Sequence, residues 1–217
     1  MNRWGRRLLT AAVSTAAVVT AVPGAAQAEW SLAPGDTIMI AGDGECSVGY
    51  FASDSDGYYI VTAGHCADHT NVEVTASGVV IGKVVAGFQE CQAAGGKCAR
   101  GKYGITIIAL YEDTRPTLKH WWTSVGDARV DDEVCISGSG DRRTRCGIVD
   151  TATSTLTNIT GAQSIPGDSG SGAWGGPDHK LVGLVIASDV DETQIQPISD
   201  AQAKARKLGY DLSILTA

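Results

Sequence analysis

After residue 28 this chain has no apolar run longer than about ten residues, too short to cross a bilayer as a helix. It also has no surplus of positive charge, since 17 Lys and Arg stand against 24 Asp and Glu for a net −7. Arg3, Arg6 and Arg7 fall within the first 28 positions and no acid precedes Glu29. The remainder therefore carries 14 basic against 24 acidic side chains, or −10. So acidic a chain does not hold a phosphate backbone by bulk charge, which argues against nucleic acid or an anionic membrane as main partner. No C-x-x-C pair occurs and His65 and Cys66 are adjacent, so neither zinc nor any other metal or cofactor is expected. No repeat, low-complexity tract or proline-rich linker interrupts the chain after residue 28.

What is present begins with an export signal. The three arginines make a basic start, Leu8 to Val22 is uncharged and almost wholly apolar, and Ala26-Gln27-Ala28 is an A-x-A cleavage pattern. Residues 1–28 read as a secretory signal peptide and 29–217 as the mature chain, secreted and not inserted in a membrane after cleavage. Those 189 residues suffice for one sizeable domain or a pair of fused small barrels. Nothing in them specifies an oligomeric state.

All six cysteines, Cys46, Cys66, Cys91, Cys98, Cys135 and Cys146, lie in the mature part. An even count in an exported chain reads as disulfides, and six allow fifteen pairings. The close pairs Cys91/Cys98 and Cys135/Cys146 suggest two local clips, leaving Cys46 with Cys66. Each bridge is worth about 2–4 kcal/mol through the unfolded state.

The mature sequence is strand-like nearly throughout. Runs such as DTIMIA, CSVGYFA, GYYIVTA, NVEVTA, GVVIGKVVAG, GITIIAL, DEVCISG, RCGIVDTA and KLVGLVIAS are rich in Val, Ile, Thr and Tyr. Gly, Asp and Ser clusters separate them, which points to an all-β sandwich or barrel. One helix is visible near the end. Ser199 with Gln202 predicts a capping box, and Ile198, Ala201, Ala205, Leu208 and Leu212 give an apolar stripe at helical spacing. It reads as a packing helix without chemistry.

Two stretches carry candidate chemistry. VTAGHC, residues 61–66, ends an apolar strand on a histidine. SIPGDSGSGAW, residues 164–174, sets Asp168 and Ser169 between two glycines. A serine needs a base to become a nucleophile, and the transition state needs N–H donors aimed at a developing oxyanion. Glycines on both sides suit a tight turn that lets backbone amides face a ligand.

Together these stretches resemble the chymotrypsin-like (trypsin-like) serine peptidases, above all the small exported bacterial branch of streptogrisins and α-lytic protease. The likeness covers CSVGY leading into TAGHC, the block CISGSGDRRTRCG, GDSG, LVGLVIAS and the closing PISDAQAKARKLG. TAGHC and GDSG in this order, 104 residues apart, are together highly specific. The resemblance implies two six-stranded antiparallel β-barrels with a boundary near 115–125, a C-terminal helix, and an active site in the cleft. It implies peptide or protein substrates, His65 as general base and Ser169 as nucleophile. The Gly167 and Ser169 N–H groups would form the oxyanion hole, and Asp168 would support the site.

The sequence departs from that pattern in one neighbourhood. The triad aspartate of the branch stands just before a strand, and here the matching residues are Lys102-Tyr103-Gly104-Ile105-Thr106, with lysine in the acid's place. Ile186 stands where the family has a serine supporting that acid, and Ile136 where an arginine pairs the aspartate beside the nucleophile. Arg142, Arg143 and Arg145 are candidates for that missing arginine, and Asp68, Asp113 and Asp189 for the missing acid. Ser171 replaces a frequent glycine, and Gln163 supplies no acid to hold a basic substrate side chain. Neutralising a triad aspartate costs about 10⁴ in rate, roughly 5.4 kcal/mol. The resemblance therefore implies either a weakened peptidase or an inactive homologue that binds.

Overall fold

The computed structural model describes residues 30–88, 104–117, 122–176, 179–189 and 191–217. The expected signal peptide, the Cys91/Cys98 pair and Lys102 lie outside the described residues.

The β-branched and aromatic runs form strands. The first group is β1 (Trp30–Leu32), β2 (Thr37–Ile40), β3 (Gly44–Ser47), β4 (Tyr50–Ser53), β5 (Tyr58–Ala63), β6 (Glu73–Ala76), β7 (Val79–Phe88), β8 (Ile105–Leu110) and β9 (Thr114–Pro116). The second is β10 (Ser124–Val125), β11 (Glu133–Ile136), β12 (Arg145–Ala152), β13 (Thr157–Thr160), β14 (Gly172–Gly175), β15 (Lys180–Ser188) and β16 (Glu192–Pro197). Helix α1 (Ile198–Lys207) follows, and β17 (Ser213–Ile214) returns to the first group.

The fold is all-β with one C-terminal helix. Strands β15, β14, β11, β12, β13 and β16 pair in that order, and the β15–β16 ladder closes them into a six-stranded barrel. Strands β2 to β8 join β17 in an eight-stranded sheet, ordered β17-β4-β5-β8-β7-β6-β2-β3, which stays open as a half-barrel, while β1 pairs with β9 apart from it. Its edge strand β3 turns to the other unit instead, where the Ser47 N–H donates to Ser169 O at 2.8 Å.

Three apolar clusters hold these layers. Ile38, Phe51, Ile60, Ile81 and Ile108 fill the half-barrel around Cys46 and Cys66. Val134, Ile136, Val149, Ile159 and Val185 fill the closed barrel. Tyr50, Ile105, Ile107, Trp122 and Leu184 join the units beneath Ile198, Ala201 and Ala205 of α1. Strand β15 contributes to all three, with Val185 in the barrel, Leu184 in the joint and Ile186 in the half-barrel. That explains its unbroken apolar sequence. A buried side chain of this kind contributes about 1.5–3 kcal/mol.

The helix differs in its details from the sequence expectation. Pro197 occupies the N-cap and no side chain caps the end, so the Ser199–Gln202 box does not form. The Ser199 N–H donates instead to the Asp127 carboxylate at 3.0 Å, an anion at the positive end of the helix. Ile198, Ala201 and Ala205 are buried as the stripe predicts, Leu208 is half-buried, and Leu212 lies beyond the last turn. Lys204 is also buried, its ammonium 2.5 Å from Asp200, which accepts a second bond from Gln196 at 2.9 Å.

Candidate active site

His65 sits in a single 3-10 turn, Gly64–Cys66, directly after β5. The turn is fixed from both sides. The Gly64 N–H donates to Gly104 O at 2.8 Å, and Thr106 Oγ1 donates to Gly64 O at 3.3 Å, so the start of β8 lies against the histidine turn. The Cys46–Cys66 disulfide anchors it to β3, with Cα atoms 6.1 Å apart. A ring nitrogen of His65 lies within 4.8 Å of both cystine sulfurs. Those sulfurs are bonded to each other and offer no thiolate to a metal. His65 is exposed as a residue, yet the protein packed around it desolvates the ring and lowers its pKa below the ordinary 6.5.

Ser169 is half-buried in the turn that connects Ile165 to β14. Pro166 and Gly167 occupy its two central positions, Gly167 has φ +98°, and the Asp168 N–H closes it onto Ile165 O at 3.0 Å. Proline followed by a positive-φ glycine is the type II arrangement. The Gly170 N–H donates to Val185 O at 2.7 Å and the Ser171 N–H to Asp168 O at 2.9 Å. The Gly167 and Ser169 N–H groups have no acceptor among the described residues. Two amides without an internal acceptor therefore flank Asp168, one of them on Ser169 itself.

Asp168 is completely buried. Its carboxylate accepts the Ile165 N–H at 2.9 Å and the Gly140 N–H at 3.3 Å, and is ion-paired with Arg145. Arg145 is thus the partner among the three candidate arginines. Its other terminal nitrogen bonds Asp141 at 2.7 Å. The Asp141 carboxyl is held below its usual value, first by the Arg143 N–H and then by the neighbouring guanidiniums. Hydrogen bonds and opposite charge both favour the ionised form.

The two candidate turns meet at the joint between the units. A Cβ on Gly170 would collide with Thr62 Oγ1, and Gly170 itself has φ +83°. A Cβ on Gly49 would strike Val61 O and Gly170 O. These glycines let the turn that carries Ser169 lie directly on the end of the strand that leads to His65. Cys66 Sγ is 4.0 Å from Ser169 O.

The remaining sequence candidates divide. Asp68, Asp113, Asp189 and Gln163 are exposed. Ile186 is 2% exposed and packs with Ala63 and Cys66, placing hydrocarbon behind the histidine turn. Ser171 is buried and its hydroxyl has no partner among the described residues. Disulfides Cys46–Cys66 and Cys135–Cys146 are formed as expected. Sequence reasoning missed Ser47, and it left the choice of Arg145 open. The second had a signal. If Cys135 and Cys146 are opposed across a hairpin, then Ile136 must oppose Arg145, which is the observed register.

The sequence matches no protein-family model and no curated protein. The fold has many solved counterparts. Protease A of Thermobifida fusca is 20% identical, covers 86% of this chain and 100% of its own, and superposes with a TM-score of 0.64. The chymotrypsin of Cellulomonas bogoriensis is 18% identical over 87% of this chain and 100% of its own, at 0.62. A glutamic-acid-specific serine protease with a histidine triad in substrate binding is 20% identical over 85% and 100%, at 0.63. This chain has the fold of the chymotrypsin-like bacterial serine proteases.

Proposed function

We propose that this protein is a secreted serine endopeptidase whose residues 1–28 direct export and whose residues 29–217 form the peptidase domain. Ser169 Oγ attacks the scissile carbonyl carbon while His65 takes its proton. The carbonyl oxygen becomes an oxyanion held by the Gly167 and Ser169 N–H groups. His65 then returns the proton to the leaving amine, and water releases the acyl group by the reverse sequence. No cofactor enters this chemistry. The observation that carries the reading is the pair of amides at Gly167 and Ser169, which lack an acceptor in a turn held by a buried ion pair. Removing one such donor costs about 10²–10³ in rate in enzymes of this kind.

A second reading rests on specific residues. Lys102 occupies the acid's place in the sequence, and Ile186 offers hydrocarbon where that acid would need a hydrogen bond. On this reading the chain is an inactive homologue that keeps the cleft to bind a peptide or protein. Labelling with a fluorophosphonate separates the two, because only an activated serine reacts quickly. Covalent modification of wild type but not of Ser169→Ala supports the peptidase. No modification of the folded wild type leaves the binding protein.

A further inference from the structure

We propose that Ser47 is the positioning residue of the nucleophile turn, clamping the two peptides that bracket the Ser169 amide. This rests on the peptidase reading and names what fixes its oxyanion donors. Ser47 is completely buried and all four of its polar groups are engaged. Its N–H donates to Ser169 O at 2.8 Å and its hydroxyl donates to Gly167 O at 2.7 Å. The hydroxyl oxygen accepts the Ser139 N–H at 2.8 Å, and the Ser47 carbonyl accepts Thr62 Oγ1 at 2.9 Å. Thr62 lies on β5, three residues before His65. One residue is therefore tied both to the strand that delivers the base and to the turn that carries the nucleophile.

The geometry acts on one peptide in particular. The Asp168–Ser169 peptide carries the Ser169 N–H. The carbonyls of the peptides on either side of it, Gly167 O and Ser169 O, both bond to Ser47. That peptide's own carbonyl, Asp168 O, accepts the Ser171 N–H at 2.9 Å, and with the peptides on either side fixed by Ser47 the direction of the Ser169 N–H is held.

Counting protons separates Ser47 from its neighbour. Gly167 O also lies 2.8 Å from Ser139 Oγ, which in turn is 3.0 Å from Glu45 Oε1. A hydroxyl has one proton, so Ser139 donates to only one of these acceptors, and an ionised carboxylate is the stronger. The Ser47 proton has no such competitor. Ser47 is the dedicated donor to Gly167 O and Ser139 the shared one.

Ser47→Ala removes the hydroxyl donor and keeps the N–H. We expect fluorophosphonate labelling and kcat to fall about tenfold, as for one lost hydrogen bond, with KM within about twofold. Ser139→Ala should do less. Glu45→Gln places an amide donor on Ser139 Oγ and turns its proton toward Gly167 O, so in the Ser47→Ala background it should restore about threefold. An equal Tm for all variants, within a few degrees, shows that they fold. Labelling of Ser47→Ala at the wild-type rate overturns the proposal, as does a loss that Glu45→Gln leaves untouched. If wild type does not label, the peptidase reading fails on its own, and amide NMR then decides the clamp. Shifted or broadened Gly167 and Ser169 resonances in Ser47→Ala support it, and unchanged ones overturn it.

Discussion

Ile136 and Arg145 face each other across the β11–β12 ladder, and from there the guanidinium reaches the buried carboxylate of Asp168. The resemblance places an arginine at Ile136. Here the guanidinium that meets Asp168 stands at the opposing register position on the neighbouring strand, and Ile136 is fully buried in the barrel core. The ion pair and two amide bonds hold the buried Asp168 carboxylate in place, and with it the turn that carries Ser169.

Arg145→Ala would therefore strand a buried charge. Breaking a buried pair from one side costs about 3–5 kcal/mol, which at this chain length lowers Tm by roughly 10 °C. Arg145→Lys should keep less than half of that stabilisation, because an ammonium cannot bridge Asp168 and Asp141 as a planar fork does. Thermal denaturation monitored by circular dichroism measures both. A Tm of Arg145→Ala within 2 °C or so of wild type would sink the claim.

His65 sets a pH dependence. Its pKa is lowered by desolvation, so the folded state releases its proton at a lower pH than the unfolded chain, whose value is near 6.5. Between the two pKa values the unfolded state binds more protons, and stability rises with pH. This contribution is complete above the unfolded pKa. It is lost as pH falls through 6.5 toward the folded value and is constant below that. On the peptidase reading, the same shift favours the neutral imidazole that would accept the Ser169 proton. Titration of the His65 ring by NMR should give a midpoint below 6.5. A midpoint at or above it contradicts the desolvation argument.

Much of this was legible in the sequence. Every quoted run from DTIMIA to KLVGLVIAS contributes a strand, most of them through buried β-branched or aromatic residues, although β12 buries only Val149. Strand β16 was not legible. Its sequence ETQIQP buries Thr193, Gln194 and Gln196, whose polarity reads as loop until partners such as those of Thr193 are seen. Ser164 N–H, for example, donates to Thr193 Oγ1 at 2.8 Å. Lys204 defeats the helical stripe for a related reason, since a cation reads as solvated until Asp200 is seen to neutralise it. At the candidate site the motifs singled out the two turns, carrying His65 and Ser169, that the fold brings to the joint between the units. Ser47 stayed hidden because its role depends on contacts between segments 120 residues apart.

The last prediction concerns the missing acid. Lys102 stands two residues before Gly104, whose carbonyl receives the Gly64 N–H beside His65. If it fills the acid's place, His65 gains no stabilisation from that position as it becomes imidazolium during attack. A cation about 5 Å away at an effective dielectric of 20 would add some 3 kcal/mol of repulsion, less whatever a flexible lysine escapes by reaching water. Peptidase activity of the wild type should be feeble, and Lys102→Asp should raise it by less than the full 10⁴ of an intact triad. The resemblance puts Ile186 in the place of the serine that supports that acid, and a hydrocarbon side chain in the half-barrel core donates no hydrogen bond. Ile186→Ser alone should cost about 3 kcal/mol of stability and gain no activity, since it creates a cavity and a buried hydroxyl. In the Lys102→Asp background the same hydroxyl acquires an acceptor, so the double-mutant cycle in kcat/KM should show positive coupling. Ordinary peptidase turnover by the wild type would refute this account. So would an unchanged Lys102→Asp together with loss of activity on replacing Asp68, Asp113 or Asp189, which would place the acid elsewhere.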